Sequence, residues 1–395
     1  MNPKLSDRVN NMATSATLAM AAKARELRAE GRDIIGLSLG EPDFTVPEFV
    51  KDAAIQAVKD DYHAYTPVDG YVDLKQAIIT KFKRDNQLEY TLPQIVVSTG
   101  AKQSIANLAQ VLINEGDEVL LPAPYWVSYS DIGKVAGGKG VPIATGIEND
   151  FKVTPEALEA AITPKSKMLI YSSPCNPSGS VYSKAELRAL ADVLVKYPDI
   201  IVVSDEIYEH INFTGEHASM AQFPDMYDRT VTVNGVSKAY AMTGWRIGYI
   251  GAPEYIARAC NKMQGQVTSG ANCIAQRATI AALENPPSKI QYMVDAFRNR
   301  RKLVLDLLSE IPGIKTNEPE GAFYVFPDIS FYFGKTIQGV HIENASDFAL
   351  LLLDKANVAT VTGEAFGSPN CIRISYAASE EDITEAMKRI KTVLS

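Results

Sequence analysis

The chain has few of the residues that hold metals or cross-link small secreted folds. It has four cysteines and four histidines among 395 residues. Cys175, Cys260, Cys273 and Cys371 form no Cys-x-x-Cys pair, which argues against a zinc ribbon or a dithiol redox centre. They read as reduced thiols of a cytoplasmic protein. His63, His210, His217 and His341 lack metal-ligand spacing and read as surface or packing residues, so no metal is expected. Basic residues are not in excess: 39 Lys plus Arg against 47 Asp plus Glu leave a formal charge of −8. That balance argues against nucleic acid as a partner and offers no basic tail to an anionic membrane. No apolar run approaches the length of a membrane span. Residues 1–29 are interrupted and charged, without the apolar core of a secretory signal. Neither Gly-x-Gly-x-x-Gly nor Gly-x-x-x-x-Gly-Lys-Ser/Thr occurs, which excludes a nicotinamide dehydrogenase and a P-loop enzyme.

What is present is a soluble, globular composition, 46% hydrophobic and 22% charged, in a chain long enough for two domains. Short apolar runs at 95–99, 118–121, 168–171, 200–204, 230–233 and 247–250 alternate with amphipathic stretches. This alternation predicts a mostly parallel sheet covered by helices. Residues 14–31 and the stretch opening at Pro47-Glu48 have helical character, and 34–39 reads as a strand. After the break at Pro286-Pro287 comes a long helical pattern over 288–310. Strands at 322–326 and 371–376 and helices at 346–356 and 380–394 follow. This last part reads as a smaller α+β domain, which the N-terminal stretch joins.

The most informative segment is Ser-Lys-Ala-Tyr-Ala-Met-Thr-Gly-Trp-Arg-Ile-Gly at 237–248, between two strand-like runs. A lysine used as a nucleophile must be desolvated or near other cations, so that its pKa falls from roughly 10 toward neutrality. Ser237 and Arg246 beside it offer what a phosphate binds, a hydroxyl and a bidentate fork. An aldehyde-and-phosphate cofactor held by Lys238 as a Schiff base meets both needs, which points to pyridoxal 5'-phosphate (PLP). Val-Val-Ser-Asp-Glu-Ile-Tyr at 202–208 is a buried-type strand ending in Asp205, an anion suited to keeping a pyridine nitrogen protonated. Tyr208 can then reach the ring's phenolic oxygen. Ser-Pro-Cys-Asn-Pro-Ser-Gly at 173–179 follows another strand and presents Asn176 as a fixed amide donor. Singly, Asp205 is equally a helix cap and Asn176 a turn residue. Together with Lys238 their order and spacing place all three at one sheet edge, where α/β ligand sites occur.

These segments resemble the class I aminotransferases, the fold-type-I PLP enzymes. The resemblance runs from Leu-Gly-Glu-Pro-Asp-Phe at 39–44 to Ile-Arg-Ile-Ser-Tyr at 372–376 and looks closest to the bacterial aspartate/prephenate branch. It implies an α/β fold, with a large, mostly parallel seven-stranded α/β/α domain over 47–283. A smaller α+β domain would be built from 1–46 plus 284–395. The turn at Gly100, Ala101 and Lys102 would lie under the PLP phosphate, with Ser237 and Arg246 completing the cradle. Tyr65, by sequence alone a packing tyrosine, matches the family tyrosine that reaches a phosphate in the neighbouring subunit, which implies a homodimer with shared active sites. Trp126, which could equally be core, matches a residue stacked on the cofactor ring.

Arg373 lies inside an apolar run and needs an anion. A structural ion pair satisfies that need, whereas the resemblance makes it the clamp for the substrate α-carboxylate, helped by Asn176 and the Gly40 backbone. No second arginine for a distal carboxylate appears at 264–272, whose interior offers Gln266, Thr268 and Ser269. The resembling branch uses positions matching Ser15, Thr17 and Lys102 instead; helix capping is the alternative for the two hydroxyls. The implied reaction is ping-pong transamination between L-aspartate and 2-oxoglutarate, with Lys238, Asp205 and Tyr208 as catalytic residues. Rival readings are a prephenate- or aromatic-amino-acid-using aminotransferase and a PLP-dependent C–S lyase or cyclopropane-forming enzyme on the same scaffold. A PLP-binding regulator lacks room for a DNA-binding domain.

Overall fold

The computed structural model describes residues 4–395. Met1–Pro3, the first residues of the expected N-terminal arm, lie outside them. The centre is a seven-stranded sheet. Its strands are β1 (Ile95–Ser98), β2 (Glu118–Pro122), β3 (Lys139–Ile143), β4 (Ser166–Ser172), β5 (Ile201–Asp205), β6 (Thr230–Gly235) and β7 (Gly248–Gly251). Their spatial order is β1-β7-β6-β5-β4-β2-β3. All pairs are parallel except those of β7, which runs antiparallel to both β1 and β6.

Side-chain alternation explains why these runs form a two-faced sheet. Val119, Leu121, Met168, Ile170 and Val203 enter one core with Ile105 and Leu108 of the helix Ala101–Leu112. Their neighbours Leu120, Leu169, Tyr171 and Val202 enter the other, with Leu187 and Leu190 of the helix Lys184–Leu194. That second helix starts on a capping box, Ser183 with Glu186.

Six of the strands coincide with the apolar runs in the sequence; β3 does not. It is an edge strand, Lys-Gly-Val-Pro-Ile, half exposed and interrupted by Gly140 and Pro142. An edge tolerates proline because one side of its backbone donates to no neighbour.

A three-stranded antiparallel sheet follows, with β10 (Ile372–Ser375) between β8 (Tyr324–Val325) and β9 (Val361–Thr362). The expected strand at 322–326 is shorter because Ala322 is left-handed at φ 56°. The N-terminal run at 34–39 pairs only at Ile35–Gly36, parallel to Val358–Ala359. The long helix spans Gln291–Ser309 and the last Glu380–Leu394. Phe297, Phe323 and Tyr376 join these elements in the largest core cluster.

Candidate active site

The sheet's connectivity brings the chemistry to one edge. Asp205 ends β5, Ser172 ends β4, and Ser98 ends β1 just before the Gly100 turn. Lys238 lies on the connection from β6 back along β7. A cavity of about 460 Å³ opens there. Of the residues singled out in the sequence, Ser15, Thr17, Gly40, Ala101, Lys102, Trp126, Asn176, Asp205, Tyr208, Ser237, Lys238, Arg246 and Arg373 line it.

Two glycines make the turn beside the cavity possible. Gly100 has φ +83°, and a Cβ there would meet the Arg246 guanidinium at 2.4 Å. A Cβ on Gly248 would lie 2.1 Å from the Ala101 nitrogen. The start of the helix Ala101–Leu112, Ser237 and Arg246 thus meet at the cavity wall, an arrangement of donors that suits an anion. Among the described residues the only hydrogen bond given by the Arg246 side chain is from Nη1 to the Thr243 carbonyl, 2.8 Å.

Lys238 points into the cavity, its Nζ donating to the Gly40 carbonyl at 2.5 Å. Its ammonium is lowered to about 8: desolvation is the main cause, Glu41 and Asp205 oppose the shift, and Arg373 and Arg246 add to it. Asp205 is buried, which pushes its carboxyl up to about 6 against hydrogen bonds from Tyr129 Oη and the Ile207 N–H. The Tyr129 bond is 2.6 Å. Lys102 lies 4.8 Å over the Trp126 ring, and burial followed by Arg246 lowers its ammonium.

Arg373, on β10, is a fully buried cation without an anion. Its Nη1 donates to Asn176 Oδ1 at 2.9 Å and its Nη2 to the Ser38 carbonyl at 2.6 Å. Its Nε has no partner, and among the described residues no carboxylate pairs with it. A structural ion pair is therefore not what holds this arginine. Ser15 is at the N-cap position of the helix Ala16–Ala29, yet its side chain makes no capping bond.

Tyr65 stands apart: it is 99% exposed and does not line the cavity. His210 and His217 also differ from the surface or packing roles read for them. They join a buried ion network on the far side of the Asp205 segment. Two residues that bear on the site were missed in the sequence, Tyr129 and Tyr324. Their only signal was a tyrosine at the start of a helix after a site-adjacent turn and another in a buried strand, and neither pattern is specific.

The comparisons with known proteins agree with this geometry. The pattern of the family described as "Aminotransferase class I and II" matches residues 32–390. The chain belongs to that family. It is an aminotransferase with the fold-type-I architecture. It is 50% identical to the "Aspartate/prephenate aminotransferase" of Nitrosomonas europaea, over 99% of this chain and 100% of that one. It is 44% identical to the "Aspartate aminotransferase" of Bacillus subtilis, over 98% of each chain. Its fold matches the solved structure of the Thermus thermophilus aspartate aminotransferase with maleate at a TM-score of 0.93, with 42% identity and full coverage of both chains.

Proposed function

We propose that this aminotransferase binds PLP in the described cavity and moves the amino group of L-aspartate to 2-oxoglutarate by a ping-pong sequence. One observation carries the reading. Lys102, Lys238, Arg246 and Arg373 converge on one cavity around a buried Asp205, and the clamp arginine has no protein anion. That set suits a phosphate, a carboxylate and a protonated ring nitrogen at once. When bound, PLP supplies an aldehyde for an amine and a ring that accepts electron density.

The chain's own residues supply the rest. Lys238, with its ammonium lowered to about 8, offers a neutral amine that can take a proton from the substrate Cα and return it. Asp205 is held by Tyr129 and would keep a proton on the ring nitrogen; that cation in turn draws its carboxyl back down. Asn176 and Tyr208 face the phenolic oxygen, and Trp126 offers a ring for stacking. Gly100, Ala101, Lys102, Ser237 and Arg246 hold the phosphate. Arg373, with Asn176 and the Gly40 backbone, clamps the α-carboxylate. Ser15, Thr17 and Lys102 line the same cavity and receive the distal carboxylate.

We assign the large domain to 47–283 and the smaller one to 1–46 with 284–395. The extreme exposure of Tyr65 supports a homodimer in which it serves the neighbouring site. No helix among the described residues is long and apolar enough to cross a membrane, and the unpaired cysteines support a cytoplasmic enzyme.

The relatives named aspartate aminotransferase favour aspartate as donor. The name of the Nitrosomonas relative adds prephenate as a second acceptor to try. Stopped-flow spectra of the PLP-loaded protein mixed with L-aspartate alone test the reading. Loss of the visible band to a near-ultraviolet one, restored by 2-oxoglutarate, is the expected result. A yellow protein that aspartate leaves yellow removes the Ser15, Thr17 and Lys102 assignment. Failure to bind any chromophore removes the cofactor reading.

A further inference from the structure

Tyr324 lies in the wall of the cavity on β8, hydrogen-bonded through its strand to β10, where Ser375 is its register partner two residues beyond Arg373. It is fully buried. Its hydroxyl is 2.7 Å from that of Tyr208, and among the described residues it has no other hydrogen-bond partner. Its ring packs against the Arg373 guanidinium at 4.6 Å and against the Tyr208 ring at 5.8 Å, nearly edge-on. Gly40 gives the hydroxyl its room: a Cβ there would lie 2.2 Å from the Tyr324 oxygen. Phe323, next in the chain, stacks on Phe297 at 5.1 Å, so this stretch of backbone has little freedom.

Two phenols that share one hydrogen bond hold two protons between them, and only one lies in that bond. For Tyr208 to turn its proton into the cavity, it must accept the hydrogen bond from Tyr324. A hydroxyl that accepts a hydrogen bond is also a stronger donor, because each bond polarises the next. We infer that Tyr324 is a positioning residue for the transamination: its hydroxyl donates to Tyr208, directing and strengthening the hydrogen bond Tyr208 gives to the bound cofactor. This rests on the PLP reading above. The ring also connects this pair to the carboxylate clamp, because Arg373 lies against its face: burial raises the Tyr324 hydroxyl, and the guanidinium opposes that rise.

The test is an absorbance pH titration of the PLP-loaded dimer and its Tyr324→Phe variant, which keeps the ring and the packing. A hydrogen bond to the cofactor's phenolic oxygen favours loss of the proton that gives the visible band. Loss of the relay therefore raises the titration midpoint, by roughly half a unit to one unit. Tyr208→Phe raises it as well. In the Tyr208→Phe background the Tyr324→Phe change adds nothing, since its route is gone. KM for aspartate stays within about two-fold in Tyr324→Phe, because the ring still faces Arg373, while kcat falls. A midpoint unmoved in Tyr324→Phe, or one that moves equally in the Tyr208→Phe background, overturns the role of Tyr324 and leaves the cofactor reading intact. A protein that binds no titrating chromophore overturns both.

Discussion

The segment Ser204–His210 has a charged cluster on each side, and the two are built on opposite principles. On the far side each buried carboxylate has a basic partner. Glu206 accepts from the hydroxyls of Ser204 and Ser219 at 2.8 and 2.6 Å and pairs with His217 at 2.8 Å. Glu209 accepts from Asn86 Nδ2 at 2.6 Å and takes the Lys81 ammonium, which also donates to Asn86 Oδ1 at 2.6 Å. His210 lies 3.3 Å from the same carboxylate. On the near side Asp205 faces a cavity in which cations outnumber acids and Arg373 has no anion. Burying charge is costly in both places. The far side offsets the cost within the fold, so it acts as scaffold. The near side does not, and its charge is what the proposed anionic ligands would offset. Burial and pKa perturbation alone do not separate the two; compensation does.

If that contrast is right, changes on the two sides fail differently. Lys238→Ala should cut transamination by roughly four orders of magnitude. Its melting temperature should not fall, since a desolvated ammonium is removed; a coupled assay beside a thermal scan checks both. Lys81→Met should do the reverse. It leaves Glu209 buried without its cation, at a cost of about 3–5 kcal/mol read as a lower urea midpoint. The kcat of the protein that remains folded should stay within a few-fold. A Lys81→Met variant that is stable but inactive would erase the distinction.

Arg373→Lys keeps the charge but loses the two-pronged fork. KM for aspartate should rise roughly 10- to 100-fold with a smaller change in kcat, as steady-state kinetics would show.

The smallest effect is the pH dependence of the cofactor-free protein. Glu209 is held far below its ordinary 4.5, with Lys81 the strongest of its cationic neighbours, although burial opposes the shift. Its contribution is present above that value and is lost as pH falls. Asp205 has the opposite sign, raised from 3.8 to about 6. Its contribution is fully present below 3.8 and is lost as pH rises through about 6. Asp205→Asn should therefore gain melting temperature relative to the parent near neutral pH and not near about pH 4, while Glu209→Gln should lose more near neutral pH than near about pH 4.

The near side was largely legible in the sequence. Asp205, Asn176 and Lys238 each follow a buried strand, so one linear motif carries both the strand and the residue at its end. The cradle was legible for the same reason, since Gly100 and Arg246 sit in short turns with restricted backbone. The far side was not. Lys81, Glu209 and His217 come from three separate segments, and only the tertiary fold makes them neighbours. Tyr324 and Tyr129 escaped notice because a hydroxyl's role depends on what stands opposite it. The edge strand β3 was missed because exposure and proline dilute its apolar pattern.

The hydrogen bond from Arg373 to the Ser38 carbonyl joins residues 335 positions apart in the chain. A ribosome adding roughly 5–20 residues per second needs about twenty seconds to a minute to cover that distance. Over the last stretch of that interval, the 135 positions from Lys238 to Arg373 (373 − 238), the nascent chain already carries the lysine yet has no carboxylate clamp. In the proposed reading, the residues assigned to the cofactor are therefore made before the arginine assigned to the substrate carboxylate.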